Sequence, residues 1–167
     1  MDAEHIEEAN AIPYEEAREA VRAMARRVAL LHMSYARVLV DALGEERGKA
    51  LIAAAIRAYG TRIGERTRTK VEALGLTPTP DNFGRGSDLS PLGFPSETVI
   101  VDGEPRSRAW SCVLADVWRE YDEEALGGLY CLVDPAKMEA YNPDWTMVHT
   151  SKIPDRGECC DIAVRPR

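Results

Sequence analysis

No run of apolar residues in this chain approaches the ~20 needed to cross a bilayer, so a membrane-spanning helix is not expected. An excess of positive charge is missing as well. Lys and Arg number 21 against 28 Asp and Glu, and the net charge of -7 opposes unspecific attraction to nucleic-acid backbones or anionic lipid. The opening Met1-Asp2-Ala3-Glu4-His5 is acidic and lacks the basic-then-apolar order of a secretory signal. These absences together point to a cytoplasmic protein that has neither nucleic acid nor membrane as partner. Its four cysteines include no C-x-x-C pair, and in a reducing compartment they are expected as free thiols, buried small hydrophobes or ligands rather than a disulfide framework. The glycine-rich stretch Asn82-Phe83-Gly84-Arg85-Gly86-Ser87 lacks the Gly-Lys-Ser/Thr ending of a phosphate loop, which removes a nucleotide-binding reading. No internal repeat is visible.

What is present suits one globular domain: 167 residues, 45% hydrophobic and 29% charged. A helical part is expected over about 13–75, a loop over 76–95 and an α/β part over 96–166. After Pro13, the residues Val21, Met24, Val28, Leu31, Tyr35, Val38, Leu39 and Ala42 recur at steps of three and four, forming one stripe of a long helix. Gly44 breaks it, and the period returns through Leu51, Ile52, Ala55, Ile56, Tyr59 and Ile63 until Leu74-Gly75. The two helices carry more apolar surface than a modest sheet covers, so a homodimer is expected. Prolines and glycines between Leu76 and Pro95 exclude a regular element there and suggest a lid or a crossover.

Thr98 to Val101, the turn pair Asp102-Gly103, and Arg106 to Val113 read as a β-hairpin. A helix through Leu114, Val117, Trp118 and Tyr121 follows, ended by Gly127-Gly128. Leu129 to Val133 reads as a short strand, with Asp134-Pro135 capping a short helix behind it. Strands are then expected from Trp145 to Lys152 and from Glu158 to Arg165, joined by a Pro-Asp-Arg-Gly turn. The predicted class is α+β, an N-terminal long helical hairpin packed on a mainly antiparallel C-terminal β-sheet.

Reactive groups gather in the last third of the chain, where three of the four cysteines lie near His149 and two aspartates. The segment from about Ser107 to Val164, with Cys112, Tyr130-Cys131-x-x-Asp134, Asn142-Pro143 and Gly157-x-x-Cys160-Asp161, resembles the L-2-amino-thiazoline-4-carboxylic acid hydrolase family. The preceding helices fit as well, so the likeness extends over most of the chain. It implies a hydrolase that opens a cyclic isothiourea to an N-carbamoyl amino acid, a step toward cysteine. The closing Gly-x-x-Cys-Asp and its apolar strand also resemble the end of 4-vinyl-reductase-type small-molecule-binding domains, which implies a non-catalytic binding or sensing alternative.

Opening such a ring requires addition of water, or of an enzyme nucleophile, to a carbon flanked by nitrogen and sulfur, and a general acid for the departing heteroatom. Chemistry alone nominates Cys131 as nucleophile, His149 as base or acid, and Asp134 or Asp161 as the group orienting the imidazole, with Cys160 beside them. Each has a structural alternative. Cys131 and Cys160 suit buried strand positions; Asp134 suits a helix cap; a carboxylate at Asp161, inside a strand, must be exposed, paired or used. His149 shares a strand face with Trp145, Met147 and Ser151 by alternation, either lining a pocket or decorating an open sheet. Arg106 and Arg108 alternate with Trp110 and Cys112, offering a fork for a substrate carboxylate beside an aromatic surface, or else an exposed hairpin edge. Tyr130 and Asn142 belong to the family-like motifs and are candidate substrate contacts, although Asn142-Pro143 equally suits the end of a helix. His32, beside the apolar stripe, is expected as a hydrogen-bonded core-edge residue, and His5 carries no role. No cofactor is expected. Cys112, Cys131, His149 and Cys160 offer zinc-compatible donors, a metal-dependent alternative without the spacing of a zinc knuckle.

Overall fold

In the computed structural model residues 11–87, 89–155 and 157–167 are described; His5, Asp88 and Arg156 lie outside them. Helix α1 spans Tyr14–Leu43 and α2 spans Glu45–Ala73, joined at Gly44. At the end of α2, Gly75 sits at φ +73°, its N–H reaching Glu72 O while that of Leu76 reaches Val71 O. This pair of bonds satisfies the last carbonyls, and the left-handed backbone it needs is open to glycine at little steric cost.

Two apolar stripes run along α1. The inward one consists of Ala25, Ala29, Met33, Ala36 and Val40. The stripe of larger residues evident in the sequence, from Met24 to Val38, faces outward. Small side chains win the interior because they let partners come close: Trp118, fully buried, lies over Ala29 with its Nε1 3.4 Å from the carbonyl oxygen. The buried face of α2 follows the same logic, with Gly48, Gly60 and Gly64 interspersed among Ile52, Ile56 and Val71. A Cβ at Gly60 would fall 2.8 Å from Ala136 Cβ, and one at Gly64 would fall 2.1 Å from Lys137 O. Glycine there is a requirement of helix-to-helix distance.

Residues 76–95 are less irregular than the sequence suggests. Pro80–Asn82 forms a 3-10 turn and Phe83–Gly86 a one-turn helix, α3. The segment is tied down by Tyr141, whose hydroxyl donates to Thr79 O at 2.9 Å, and by Phe83, whose ring meets Tyr141 edge-on at 5.1 Å.

Strands β1 (Glu97–Val101) and β2 (Glu104–Ala109) form the expected hairpin, with Asp102 and Gly103 both at positive φ. Strand β2 stops at Ala109 rather than Val113, because Cys112 caps helix α4 (Val113–Glu120). A short helix α5, Glu124–Gly127, follows. The predicted strand Leu129 to Val133 is not a strand: Gly128–Leu132 is a 3-10 turn running directly into α6, Val133–Tyr141. A five-residue apolar run has no decisive period, and here Leu129, Tyr130 and Leu132 are drawn helically onto the cluster around Ile52, Ile56 and Val133. Asp134 consequently lies inside the first turn of α6 instead of capping it.

Strands β3 (Trp145–Ser151) and β4 (Cys160–Pro166) complete a four-stranded antiparallel sheet of order β1-β2-β4-β3. The last strand starts at Cys160, not Glu158. Helix α6 packs on α2 on one side and on β3 on the other. The N-terminal helical hairpin is thus packed against a C-terminal antiparallel sheet, an α+β arrangement.

Candidate functional site

The sheet has two chemically different faces. Cross-strand partners share a face, so the pairs His149 with Ile162 and Met147 with Val164 put His149, Met147, Ile162 and Val164 on one side, and alternation adds Trp145 and Cys160. This is the inner side: Trp145, Met147 and Val164 pack around Val71, Met138 and Tyr141, and Cys160 packs on the cluster that contains Trp118. By the same rule Arg106, Arg108, Asp161 and Ala163 occupy the outer side.

On the inner side, the first turn of α6 aims Asp134 at β3. His149 Nε2 lies 2.8 Å from Asp134 Oδ2, and Lys137 Nζ donates to Asp134 Oδ1 at 2.6 Å. Burial alone would raise the Asp134 carboxyl, but Lys137 and His149 outweigh it and hold it at about 2. An ionised carboxylate accepts hydrogen bonds and donates none, so the proton between the two groups sits on His149 Nε2. In the neutral imidazole that leaves Nδ1 as a bare acceptor, and Nδ1 is buried with no hydrogen-bond partner. Among the described residues, Nδ1 is thus the ring nitrogen that is not engaged by another protein group.

A cleft of ≈ 260 Å³ is lined by His149, Thr150, Ser151, Lys152, Asp155 and Gly157. A bulge shapes its wall: His149 pairs with Ile162 but Ser151 pairs with Asp161, so Ser151 leaves the face that strict alternation would give it. Its hydroxyl donates to Cys159 O at 2.8 Å. Gly157 is needed at the rim, since a Cβ there would fall 2.5 Å from Ser151 Oγ. Lys152 brings a cation, bridged to Asp155 at 2.8 Å.

Cys112, Cys131 and Cys160 border the same region, and the Asp134 charge acts on all three. Burial chiefly, and Asp134 with it, pushes the Cys131 thiol up to about 12; Cys112 and Cys160 are raised too, mainly by burial. Cys160 Sγ accepts the Ile153 N–H at 3.3 Å. All four cysteines are free thiols. Among the described residues, no set of three or more His, Cys, Asp or Glu is arranged to hold a metal ion.

The remaining candidates lie elsewhere. Asp161 is on the outer face in a two-pronged pair with Arg108, Nε to Oδ1 at 2.7 Å and Nη2 to Oδ2 at 2.6 Å. Its carboxyl is lowered by that pair, against the opposing pull of burial. Arg106 bonds Glu104 at 3.0 Å, and Arg165 grips the same carboxylate. Trp110 stays beside Arg108, the guanidinium 5.2 Å from its ring centroid, and donates to Glu97 at 2.7 Å. The sheet separates this polar face from His149. Cys112 parts company with the arginines because the strand has already ended. Tyr130 turns toward the hairpin, its ring 5.3 Å from His32, which bonds Leu126 O at 3.2 Å. Asn142 ends α6, its amide donating to Pro78 O at 2.7 Å and its carbonyl accepting from Asp144 N at 3.0 Å.

Lys137 and Lys152 were not singled out by sequence reasoning. The Asp134-x-x-Lys137 spacing is a helical i, i+3 pair and signals the first; Lys152 is placed at the cleft by a bulge that leaves no sequence mark.

No helix among the described residues is long and apolar enough to cross a membrane. Comparison with curated proteins and with solved structures returned no match. The family model for L-2-amino-thiazoline-4-carboxylic acid hydrolase matches residues 22–164, which include α1 from Arg22 onward, all of α2 and every residue of the inner site. The chain belongs to the L-2-amino-thiazoline-4-carboxylic acid hydrolase family.

Proposed function

We propose that this protein is a small-molecule hydrolase that opens a cyclic amidine or isothiourea carboxylate of the 2-amino-thiazoline type, using His149 as the proton-transfer group and Asp134 as the residue that positions it. One observation carries the reading: His149 lines a cleft and its Nδ1 has no hydrogen-bond partner, while Nε2 is held by a carboxylate kept ionised at about 2. That is the arrangement of a general base whose tautomer has been chosen for it.

In this reading water enters beside Nδ1 and gives up a proton to it as its oxygen bonds to the ring carbon between nitrogen and sulfur. Collapse of the adduct breaks the carbon–sulfur bond. The adduct's remaining hydroxyl proton passes to the ring nitrogen as the carbonyl forms, and the proton held by His149 goes to the departing sulfur, leaving a thiol and an N-carbamoyl group, with one water consumed. Asp134 steadies the transient imidazolium. Lys152, at the cleft, is the cation suited to the substrate carboxylate. At ≈ 260 Å³ the cleft lies just below the usual range of drug-sized ligand sites, which suits a single substituted ring. A thiol held near 12 is protonated at neutral pH, so activation of Cys131 as a thiolate is disfavoured.

The test is turnover of L-2-amino-thiazoline-4-carboxylate, followed by release of free thiol. Wild type is expected to turn it over, and His149→Gln to lose about 100-fold or more in kcat. Wild-type protein that binds the compound by calorimetry without hydrolysing it would instead favour a binding or sensing domain.

A further inference from the structure

The outward stripe of α1 has a heptad repeat. Val21, Val28, Tyr35 and Ala42 recur every seven residues, and Met24, Leu31 and Val38 recur every seven between them. Such a 3.5-residue period is the pattern of a helix that pairs with another helix, and among the described residues the stripe has none: Met24 is 59%, Leu31 58%, Tyr35 65% and Val38 63% exposed. The inward packing of α1 is already complete through its alanine-rich face. Val21 is covered by the loop at Gly93, so the open seam begins at Met24 and extends about 21 Å to Val38.

We infer that this seam is the contact surface of a homodimer, in which α1 pairs antiparallel with α1 of a second copy across a two-fold axis. Three features favour a second copy. First, the seam complements itself when reversed: Met24 falls opposite Ala42, Val28 opposite Val38 and Leu31 opposite Tyr35, large against small at the ends and large against large at the centre. Second, the flanking row on the side away from the protein body reads Arg27, Ser34, Asp41. In the same reversed register Arg27 of one chain meets Asp41 of the other, twice by symmetry, and Ser34 meets its own copy. A parallel pair forgoes both opposite-charge contacts. Third, Met24, Val28, Leu31, Tyr35 and Val38 are all exposed large hydrophobics on one face, a continuous apolar strip of the length that a second helix covers.

Sedimentation equilibrium on the full chain, with far-UV circular dichroism as a folding control, tests this independently of any hydrolytic activity. Wild type is expected to be a dimer. Leu31→Glu with Tyr35→Glu is expected to be a folded monomer, since both side chains are already in solvent. Arg27→Glu and Asp41→Arg are each expected to weaken association by about tenfold or more, and the doubly swapped chain to recover it. A monomeric wild type overturns the interface, as does a dimer that survives Leu31→Glu/Tyr35→Glu. Failure of the double swap to recover association overturns the antiparallel register.

Discussion

His149 Nε2 and Asp134 Oδ2 stand 2.8 Å apart, and this contact ties the sheet's inner face to the first turn of α6. The other Asp134 oxygen is taken by Lys137, so the carboxylate is saturated from two elements. Asp134→Asn replaces one acceptor oxygen with a donor that faces the lysine. Loss of about 3 kcal/mol in urea unfolding is expected, the low end of the range for breaking a buried pair, because Asp134 and Lys137 each keep 16% of their side-chain exposure. As a positioning residue, Asp134 should act on kcat more than on KM. A variant with unchanged kcat and raised KM would assign it to substrate binding instead.

The thiols make a separate prediction. With Cys131 pushed to about 12 from an ordinary 9.0, its thiolate fraction near neutrality falls about 1,000-fold. Native protein is therefore expected to react with iodoacetamide at Cys131 far more slowly than unfolded protein, as read by mass spectrometry of the labelled peptide. Cys131→Ala is expected to retain turnover within about tenfold. Abolished turnover in a folded Cys131→Ala would restore the thiol to the role of nucleophile.

How far the sequence carried these conclusions depends on the physics at each place. Long periodic helices and an Asp-Gly hairpin announce themselves, because 3.6-residue spacing and positive φ each leave a residue signature. The run Leu129 to Val133 does not, since five apolar residues suit either a strand or a turn and tertiary contact decides. Alternation correctly separates Cys160 from Asp161, yet it cannot say that the sheet carries the arginine pairs on one face and His149 on the other. Whether a stripe faces in or out is also silent: the sequence shows Met24 to Val38 more loudly than Ala25, Ala29 and Ala36, and it is the alanines that pack. Asp134 and His149, fifteen residues apart, meet because a helix reverses the chain between them, a relation with no local signal.

Close packing of α2 on α6 is tested by one methyl group. At Gly64 an added Cβ would fall 2.1 Å from the Lys137 carbonyl oxygen and 2.8 Å from Ala140 Cβ, and backbone cannot yield as a side-chain tip does. Gly64→Ala is expected to cost about 3 kcal/mol despite alanine's better helix propensity. Gly84→Ala, where a Cβ meets nothing within 4 Å, serves as the control and is expected to be neutral or mildly stabilising. Equal stability of the two variants in urea unfolding would show that α6 stands farther from α2.

The outer face of the sheet predicts how the fold fails in acid. Glu104, bonded by Arg165 and Arg106, is lowered to about 2, and Asp161 is lowered by its bond to Arg108. Both carboxyls have folded values below their unfolded ones. Their contribution to stability is therefore complete above the ordinary carboxylate range near 4 and is lost as pH falls through the folded values. A melting temperature that drops steeply between about pH 4 and pH 2 is expected. Replacing Arg108 by Leu removes the partner and leaves burial to raise Asp161, so the stability that the pair adds above its folded value is absent from the start. The variant should be less stable than wild type at neutral pH, its acid midpoint should move to higher pH, and the difference should narrow in stronger acid. Circular dichroism against pH for wild type and Arg108→Leu decides this, and coincident acid midpoints would mean that the Arg108–Asp161 pair contributes nothing to the acid limb.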